Sequence, residues 1–240
     1  TNTALRGFLS VTPTQILNSS QTSNTLTWTF DSGSETFDFL ANGETLILTY
    51  TIRATDDDSS PLSDTETVMV TITGTNDAPV ISLESGDHAT ETMAETNTTL
   101  ATSGTLTVND LDLTDTVTSA VTSVVASGTT TGLQSNNAAL LAMLTSTPNV
   151  LDNTELTDRL TWAFNSGSEH FNYLAVGESL VLTYTITATD SQSATDTQTV
   201  VITINGTNDT PVITVEVGDS AAEALTETNA TLSTSGTLTV

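Results

Sequence analysis

The 240-residue chain carries 29 acidic and 3 basic side chains, a net charge of −26. That charge repels phosphate backbones and anionic lipid head groups, and so argues against nucleic acid and against polybasic docking to membranes. It has no cysteine, which removes disulfides, thiolate nucleophiles and zinc–thiolate sites together and suits a bacterial surface protein better than a secreted eukaryotic one.

No apolar run reaches the roughly 18 residues that a spanning helix needs, and no charged-then-apolar leader opens the chain, so an export signal is expected outside these residues. In chain order, the first strong strand signal is TLILTYTIRAT, where Leu46, Leu48, Tyr50 and Ile52 alternate with Thr45, Thr49 and Thr51. A period of two gives one buried and one wet face. Val68, Val70 and Ile72 alternate likewise beyond an acidic loop, and the two runs read as a long antiparallel hairpin. The phrase GTNDAPVI follows at Gly74 to Ile81, and its proline suits the first position of an edge strand, predicting a short strand over Pro79 to Leu83. A polar connector leads to TLATSGTLTV, ending at Val108, and a further strand is expected from Asp115 to Ala126. The one helix signal is short: Asn136 or Asn137 caps Ala138 to Leu144, and Thr147-Pro148 stops it. The hairpin pattern then returns at Leu180 to Ala188 and at Val200, Ile202 and Ile204.

The phrase itself also returns, as GTNDTPVI at Gly206 to Ile213, a spacing of 206 − 74 = 132 residues. Upstream of the acidic loop the offset is 162 − 28 = 134, since Trp28 matches Trp162, Phe37 matches Phe171, Glu44 matches Glu178 and Tyr50 matches Tyr184. The two-residue change falls in ATDDDSSPLSDT against ATDSQSATDT, so that segment is a surface loop. Self-similarity at a fixed period is the signature of a repeat array. Residues 1–73 are expected to be the C-terminal part of a first repeat, 74–206 a complete second one, and 207–240 the opening strands of a third. Threonine richness and many short strands predict an all-β protein of tandem immunoglobulin-like sandwiches, with Trp28 and Trp162 as core anchors.

Threading those strands places the acidic residues. In an antiparallel sandwich Glu44, Asp77, Asp190 and the loop NDLDLTDT, with Asp110, Asp112 and Asp115, fall near one junction. Glu44, Asp77, Asp110, Asp112 and Asp190 are predicted to converge there, with Asn76 and backbone carbonyls completing an oxygen set for a hard cation, Ca2+ first among them. The alternative is that these are turn residues capping their own backbone. The loop lacks the glycine and the bidentate glutamate of an EF-hand.

GTNDAPVI, SGTLTVNDLDLTDT, LTWAFNSGSEHFNYLAVGESLVLTYTITATD and TVVITINGTND together resemble the VCBS repeat, a cadherin-like immunoglobulin-like module of very large bacterial RTX-type surface adhesins. The resemblance covers essentially the whole chain. It implies extracellular display on a bacterial surface after type I secretion, roles in adhesion and biofilm formation, and calcium at the joints. It also implies that an acid early in the module and one before the penultimate strand join the linker acids. For the second joint these are Glu95 and Glu178, with Asn208 and Asp209. That joint's own D-x-D would lie past Val240, and the first joint's early glutamate would lie before Thr1.

No catalytic constellation competes with this reading. Ser168 and His170 of NSGSEH suggest part of a hydrolase triad, but the parallel copy DSGSET has Thr36 in place of the histidine. His88 is expected to be solvated, and the sequons at Asn18, Asn97, Asn205 and Asn229 matter only in a eukaryotic secretory pathway. The expected function is a calcium-stiffened spacer, not an enzyme, whose partners are its neighbouring repeats. The rival is a module that grips a glycan or protein through its exposed loops or threonine-rich face. Ragged repeat boundaries also predict head-to-tail self-association of the chain.

Overall fold

The computed structural model describes residues 2–240. The regular structure is nearly all β, with 41% of residues in strands and 5% in helix, arranged as immunoglobulin-type β-sandwich, and among the described residues no helix is long and apolar enough to cross a membrane.

The central unit comprises β5 (Val80–Ser82), β6 (Thr90–Ala94), β7 (Ala101–Asn109), β8 (Val117–Gly128), α2 (Asn137–Ala142), β9 (Leu144–Ser146), β10 (Asn149–Leu151), β11 (Thr157–Asn165), β12 (Ser179–Thr189) and β13 (Thr195–Asn205). One sheet runs β10-β8-β12-β13-β6 and the other β5-β7-β11-β9. Their inner faces follow the period-two pattern of the sequence. Leu180, Leu182, Tyr184 and Ile186 of β12 face Leu106 of β7 and Leu160, Trp162 and Phe164 of β11, all fully or almost fully buried. Each such side chain contributes roughly 1.5–3 kcal/mol by leaving water. The Tyr184 hydroxyl spends its polar end on the Leu140 carbonyl of α2 at 2.9 Å, and burial pushes its pKa up.

Gly104 and Trp162 lock the register of the second sheet. They are Cα partners across β7 and β11, and a Cβ at Gly104 would sit 2.5 Å from the indole ring. The indole N–H donates to the His88 carbonyl at 3.0 Å, and the exposed His88 ring meets it edge-on.

Residues 2–73 repeat part of this plan: α1 (Asn2–Gly7), β1 (Leu9–Thr12), β2 (Thr27–Phe30), and the hairpin β3 (Thr45–Thr55) with β4 (Ser63–Thr73). The registers copy the central unit, with Val11↔Trp28 and Leu9↔Phe30 standing where Ser146↔Trp162 and Leu144↔Phe164 stand. Even the tyrosine contact recurs, Tyr50 donating to the Leu5 carbonyl at 2.9 Å.

Four expectations need correction. Trp28 is 46% exposed where Trp162 is 0%, because among the described residues β2 pairs only with β1 whereas β11 is flanked by β7 and β9. The segment Pro211 to Val215 and the last ten residues form no regular strands. Only an isolated bridge, Thr214↔Thr239, joins them. That bridge keeps the register of Ser82↔Thr107 shifted by 132, yet nothing stands beside it in the place of β11. The polar connector contains β6, a parallel partner of β13, whose only large apolar residue is Met93 and whose alternation was too short to read. The helix ends at Ala142, before Leu144 and well before Thr147-Pro148, because β9 occupies the intervening chain. Its predicted cap is present, Asn136 Oδ1 accepting from the Ala139 N–H at 3.0 Å.

Candidate metal centre

The linker starts at a glycine because nothing larger fits. A Cβ on Gly74 would collide with the carbonyl oxygens of Leu40 and Ala41, and Gly74 donates its N–H to the Glu44 carbonyl at 2.8 Å. Gly206 repeats this against Leu174 and Ala175, donating to the Glu178 carbonyl at 3.0 Å. The two glutamates close the turns that the glycines press against. Glu44 Oε2 accepts from the Ala41 N–H at 3.1 Å, and Glu178 Oε2 from the Ala175 N–H at 2.9 Å.

Beyond Gly74 the chain runs into the acidic loops. Asn76 donates through Nδ2 to Asp190 Oδ2 and to the Asp77 carbonyl, both at 2.9 Å. The Asp77 N–H donates to Asp112 Oδ2 at 2.8 Å. Within D-x-D, the Asp112 N–H donates to Asp110 Oδ1 at 3.1 Å. Glu44 reaches across from the first segment, its Oε1 accepting from the Thr114 hydroxyl at 3.0 Å. Asn76, Asp77, Asp110, Asp112 and Asp190 thus form one hydrogen-bonded chain, which Asp77 joins through its backbone, and Glu44 bonds only Thr114 of the loop beside it.

Turn capping accounts for only half of the carboxylate oxygens here. Asp190 Oδ1 caps the hairpin turn, accepting from the Gln192 and Ala194 N–H groups at 2.8 Å each, and Asp110 and Asp112 each spend one oxygen on a backbone N–H. The other oxygens, Asp110 Oδ2 and Asp112 Oδ1, are buried with no partner, and so are Asp115 Oδ2 and Asn76 Oδ1. The three aspartates are deeply buried, Asp112 being 1% and Asp110 3% exposed, and Asn76 is half-buried. An unpaired buried polar atom costs about 1–3 kcal/mol, more when charged. Burial pushes the Asp110 pKa up to about 6, with repulsion from Asp112, Asp115 and Asp190 adding to it against the hydrogen bond from the Asp112 N–H. Asp112 is shifted upward by burial too, helped by Asp77, Asp115 and Asp190.

The second joint shows the same division of labour. Glu95, 1% exposed, accepts from the Thr207 N–H at 2.9 Å and from its hydroxyl at 2.6 Å with Oε1, and leaves Oε2 buried without a partner. Asn208 donates to the Asp209 carbonyl at 3.3 Å, as Asn76 does to Asp77, but Asn208 and Asp209 are exposed. Glu178 is half-buried at the turn beside Gly206.

Among the described residues, all five buried side-chain oxygens without a partner lie at these two joints. Asp87, half-buried, shows that the sandwich can satisfy an acid when nothing else is required of it. Its oxygens take the Thr105 hydroxyl, the Thr107 hydroxyl at 2.7 Å and the Glu84 N–H at 3.1 Å. Burial raises its pKa, but those bonds and Arg159 outweigh it and the net shift is downward.

The free lone pairs all belong to oxygen, which suits a hard cation such as Ca2+ and not a thiophilic metal. As the side chains stand, no three carboxylates or imidazoles among the described residues are gathered into a ligand set. The joint is a cradle of lone pairs and not a closed coordination shell. Sequence reading left Asp115 out of the convergent set, although its position three residues after Asp112 was the available signal. It overlooked Asp87 entirely, because the acid lies in the β5–β6 connection and the hydroxyls lie on β7.

No protein-family model and no curated protein matches the chain. Solved structures that it is similar to include the extracellular cadherin domains 1–5 of protocadherin gamma B2, at 18% identity and a TM-score of 0.40, over 85% of this chain and 33% of that one. The extracellular domain of protocadherin gamma B4 is similar at 20% identity and a TM-score of 0.39, over 83% of this chain and 27% of that one. The CooA pilin subunit of enterotoxigenic Escherichia coli is similar at 13% identity and a TM-score of 0.35, over 54% of this chain and 99% of that one. Likenesses this distant carry no functional argument.

Proposed function

We propose that the chain is a run of calcium-rigidified spacer repeats of the VCBS type, with joints at Gly74 and Gly206, that holds a ligand-binding region of a bacterial surface adhesin away from the cell. The observation that carries this is the split use of each buried joint acid, one oxygen capping the backbone and the other left over. Asp110, Asp112, Asp115, Asp190 and Asn76, with Glu44 from the preceding segment, would hold the ion at the first joint. Glu95, Glu178, Asn208 and Asp209 would serve the second. A bound divalent cation supplies positive charge against carboxylates that otherwise repel one another.

The chain's own residues supply the rest. Glu44 belongs to the turn before Gly74, and Asp112 and Asp190 to the central unit, so a ligand set shared among them ties the two sides of the linker into one geometry. Strands of about eleven residues rise roughly 36 Å, so each repeat adds length on that scale. Extracellular calcium modules bind at about 0.1–1 mM, which suits a surface protein and not a cytosolic one.

Calorimetric titration of the metal-free chain with calcium, paired with small-angle scattering, tests the reading. Binding in the millimolar range or tighter is expected, with an increase in the maximum dimension. Absence of binding, or identical scattering with calcium and with chelator, would sink it.

A further inference from the structure

A chain with 29 acidic side chains keeps one broad sheet face of its central unit free of them. The positions of β12 and β13 that alternate with buried core residues are Ser, Thr, Val or Asn throughout, and the outward positions of β8 and β6 are Ser, Thr, Ala or Val. The acids that these strands do carry stand on the core side. Asp196 is the register partner of the fully buried Ala188 and accepts the Ile81 N–H at 2.8 Å, and Glu91 is the register partner of the fully buried Ile202. The other sheet has no comparable face, because the β5–β6 connection folds back against β7, where Asp87 takes the Thr105 and Thr107 hydroxyls beside Arg159.

The face has an apolar middle and a hydroxyl surround. Thr183 stands between Val125 of β8, 62% exposed, and Val201 of β13, with Val181 two residues before it on β12. Hydroxyls around them are already bonded: Thr122 pairs with Thr187 and Ser123 with Thr185, at 2.9 Å each, and Thr118 donates to the Thr189 carbonyl at 3.3 Å. A hydroxyl bonded within its own sheet loses little when the water above it is removed. The hairpin β3–β4 repeats the plan, with Ile47 and Met69 at the register positions of Val181 and Val201; its one outward charge is a cation, Arg53.

The chemistry of the face selects its partner. Without a cation the central face offers nothing to an anionic ligand, without a carboxylate nothing to a cationic one, and without an aromatic ring no platform on which a sugar could stack. A second copy fits. Each molecule has a net charge of −26, and on this face two such copies meet without burying a carboxylate, as the core of an interface requires. Strands about 36 Å long in a sheet about 15 Å across give roughly 500–600 Å² per unit. A standard interface buries about 800 Å² on each partner, which two consecutive units bearing the face would exceed.

We infer that two copies of this chain pack side by side through the outer faces of these sheets, with Thr183 and its flanking valines at the centre of the contact. The same patch serves on both copies, so the contact closes on itself as a two-fold pair. The acidic remainder of both surfaces opposes it, so pairing tightens as salt rises. None of the proposed metal ligands is an outward residue of these strands, so pairing requires no calcium and stands apart from the spacer reading.

Sedimentation equilibrium of the full chain in chelator, up to millimolar concentration and at two salt levels, should show monomer and dimer in exchange, with more dimer at the higher salt. Thr183→Glu and, separately, Thr199→Glu each place a carboxylate on the face and should weaken pairing by about tenfold or more. Thr161→Glu adds the same charge to the outer side of β11 and should leave pairing unchanged. All three positions point away from the core, so melting should stay close to that of the wild type. Mixing Thr183→Glu with Thr183→Lys should pair more tightly than Thr183→Glu alone. A wild type that stays monomeric, Thr183 and Thr199 variants that pair as well as the wild type, or a Thr161→Glu chain weakened equally would each overturn the inference. So would retention of a monomeric wild type on dextran that Thr183→Glu abolishes, which would give the face to a neutral glycan.

Discussion

Asp112 accepts the Asp77 N–H with Oδ2 at 2.8 Å and leaves Oδ1 buried with no partner, so one carboxylate both anchors the linker and carries an unmet demand for charge. The two oxygens predict opposite consequences for a conservative substitution. Asp112→Asn keeps an oxygen that can accept from Asp77 but removes the charge whose burial is costly. In chelator the variant should melt higher than the wild type; in saturating calcium it should melt lower, with affinity weakened by about tenfold or more. Scanning calorimetry in the two buffers reads the crossover, and a variant shifted the same way in both would contradict it. Asp58→Asn, in the β3–β4 loop where the second copy has Gln192, should change neither.

The raised carboxylates set the pH dependence of the metal-free chain. Asp110 binds its proton more tightly folded, at about 6, than in the unfolded chain, near the ordinary carboxylate value of 3.8. A group shifted this way adds stability below its unfolded pKa and loses it as pH rises through the folded one. In chelator the stability, and with it the melting temperature, should therefore fall as pH climbs from about 4 to about 6 and beyond, by an amount of order 3 kcal/mol at about 1.4 kcal/mol per unit. Calcium should flatten or reverse the trend, because it binds the ionised form. A metal-free chain that gains stability across that window would refute the assignment.

Gly74→Ala should distort the linker, because its Cβ has no room beneath the Leu40 and Ala41 carbonyls. The central unit does not depend on that contact. Hydrogen exchange should show faster exchange at Gly43 and Gly74, whose N–H groups bond within this turn, and unchanged protection in β12 and β13. Calcium affinity at the first joint should fall with it.

Asp87→Ala tests the opposite case, a half-buried acid whose needs are met by protein alone. Loss of the acceptor strands the Thr105 and Thr107 hydroxyls and the Glu84 N–H, at a cost of about 2–4 kcal/mol. The loss should be the same in calcium and in chelator, measured by denaturant unfolding. A calcium-dependent loss would place Asp87 in the metal's neighbourhood.

The reach of the sequence varied with the physics involved. Both hairpins were legible because eleven-residue strands alternate Thr with Leu, Ile, Val and Tyr often enough to fix a face. β6 was not, since five residues with one large side chain carry too little pattern, and a parallel partner over a hundred residues away leaves no local trace. The short helix was readable from its Asn136 cap, but its end was decided by β9 returning to pair with β11. Trp28 and Trp162 sit in matching sequence contexts and end in opposite environments.

By itself the sequence determined the repeat, the all-β character, the two glycine-led linkers and the loops in which the acids lie, because each is written in spacing or in a two-residue period. Only the tertiary structure decided which oxygen of each acid is used. Asp110, Asp112 and Glu95 look alike in sequence to Asp87, yet three keep a buried oxygen free while the fourth is closed by two threonine hydroxyls from β7. Hydrogen-bond satisfaction depends on what neighbouring strands place within three ångströms, and composition and period are blind to that distance.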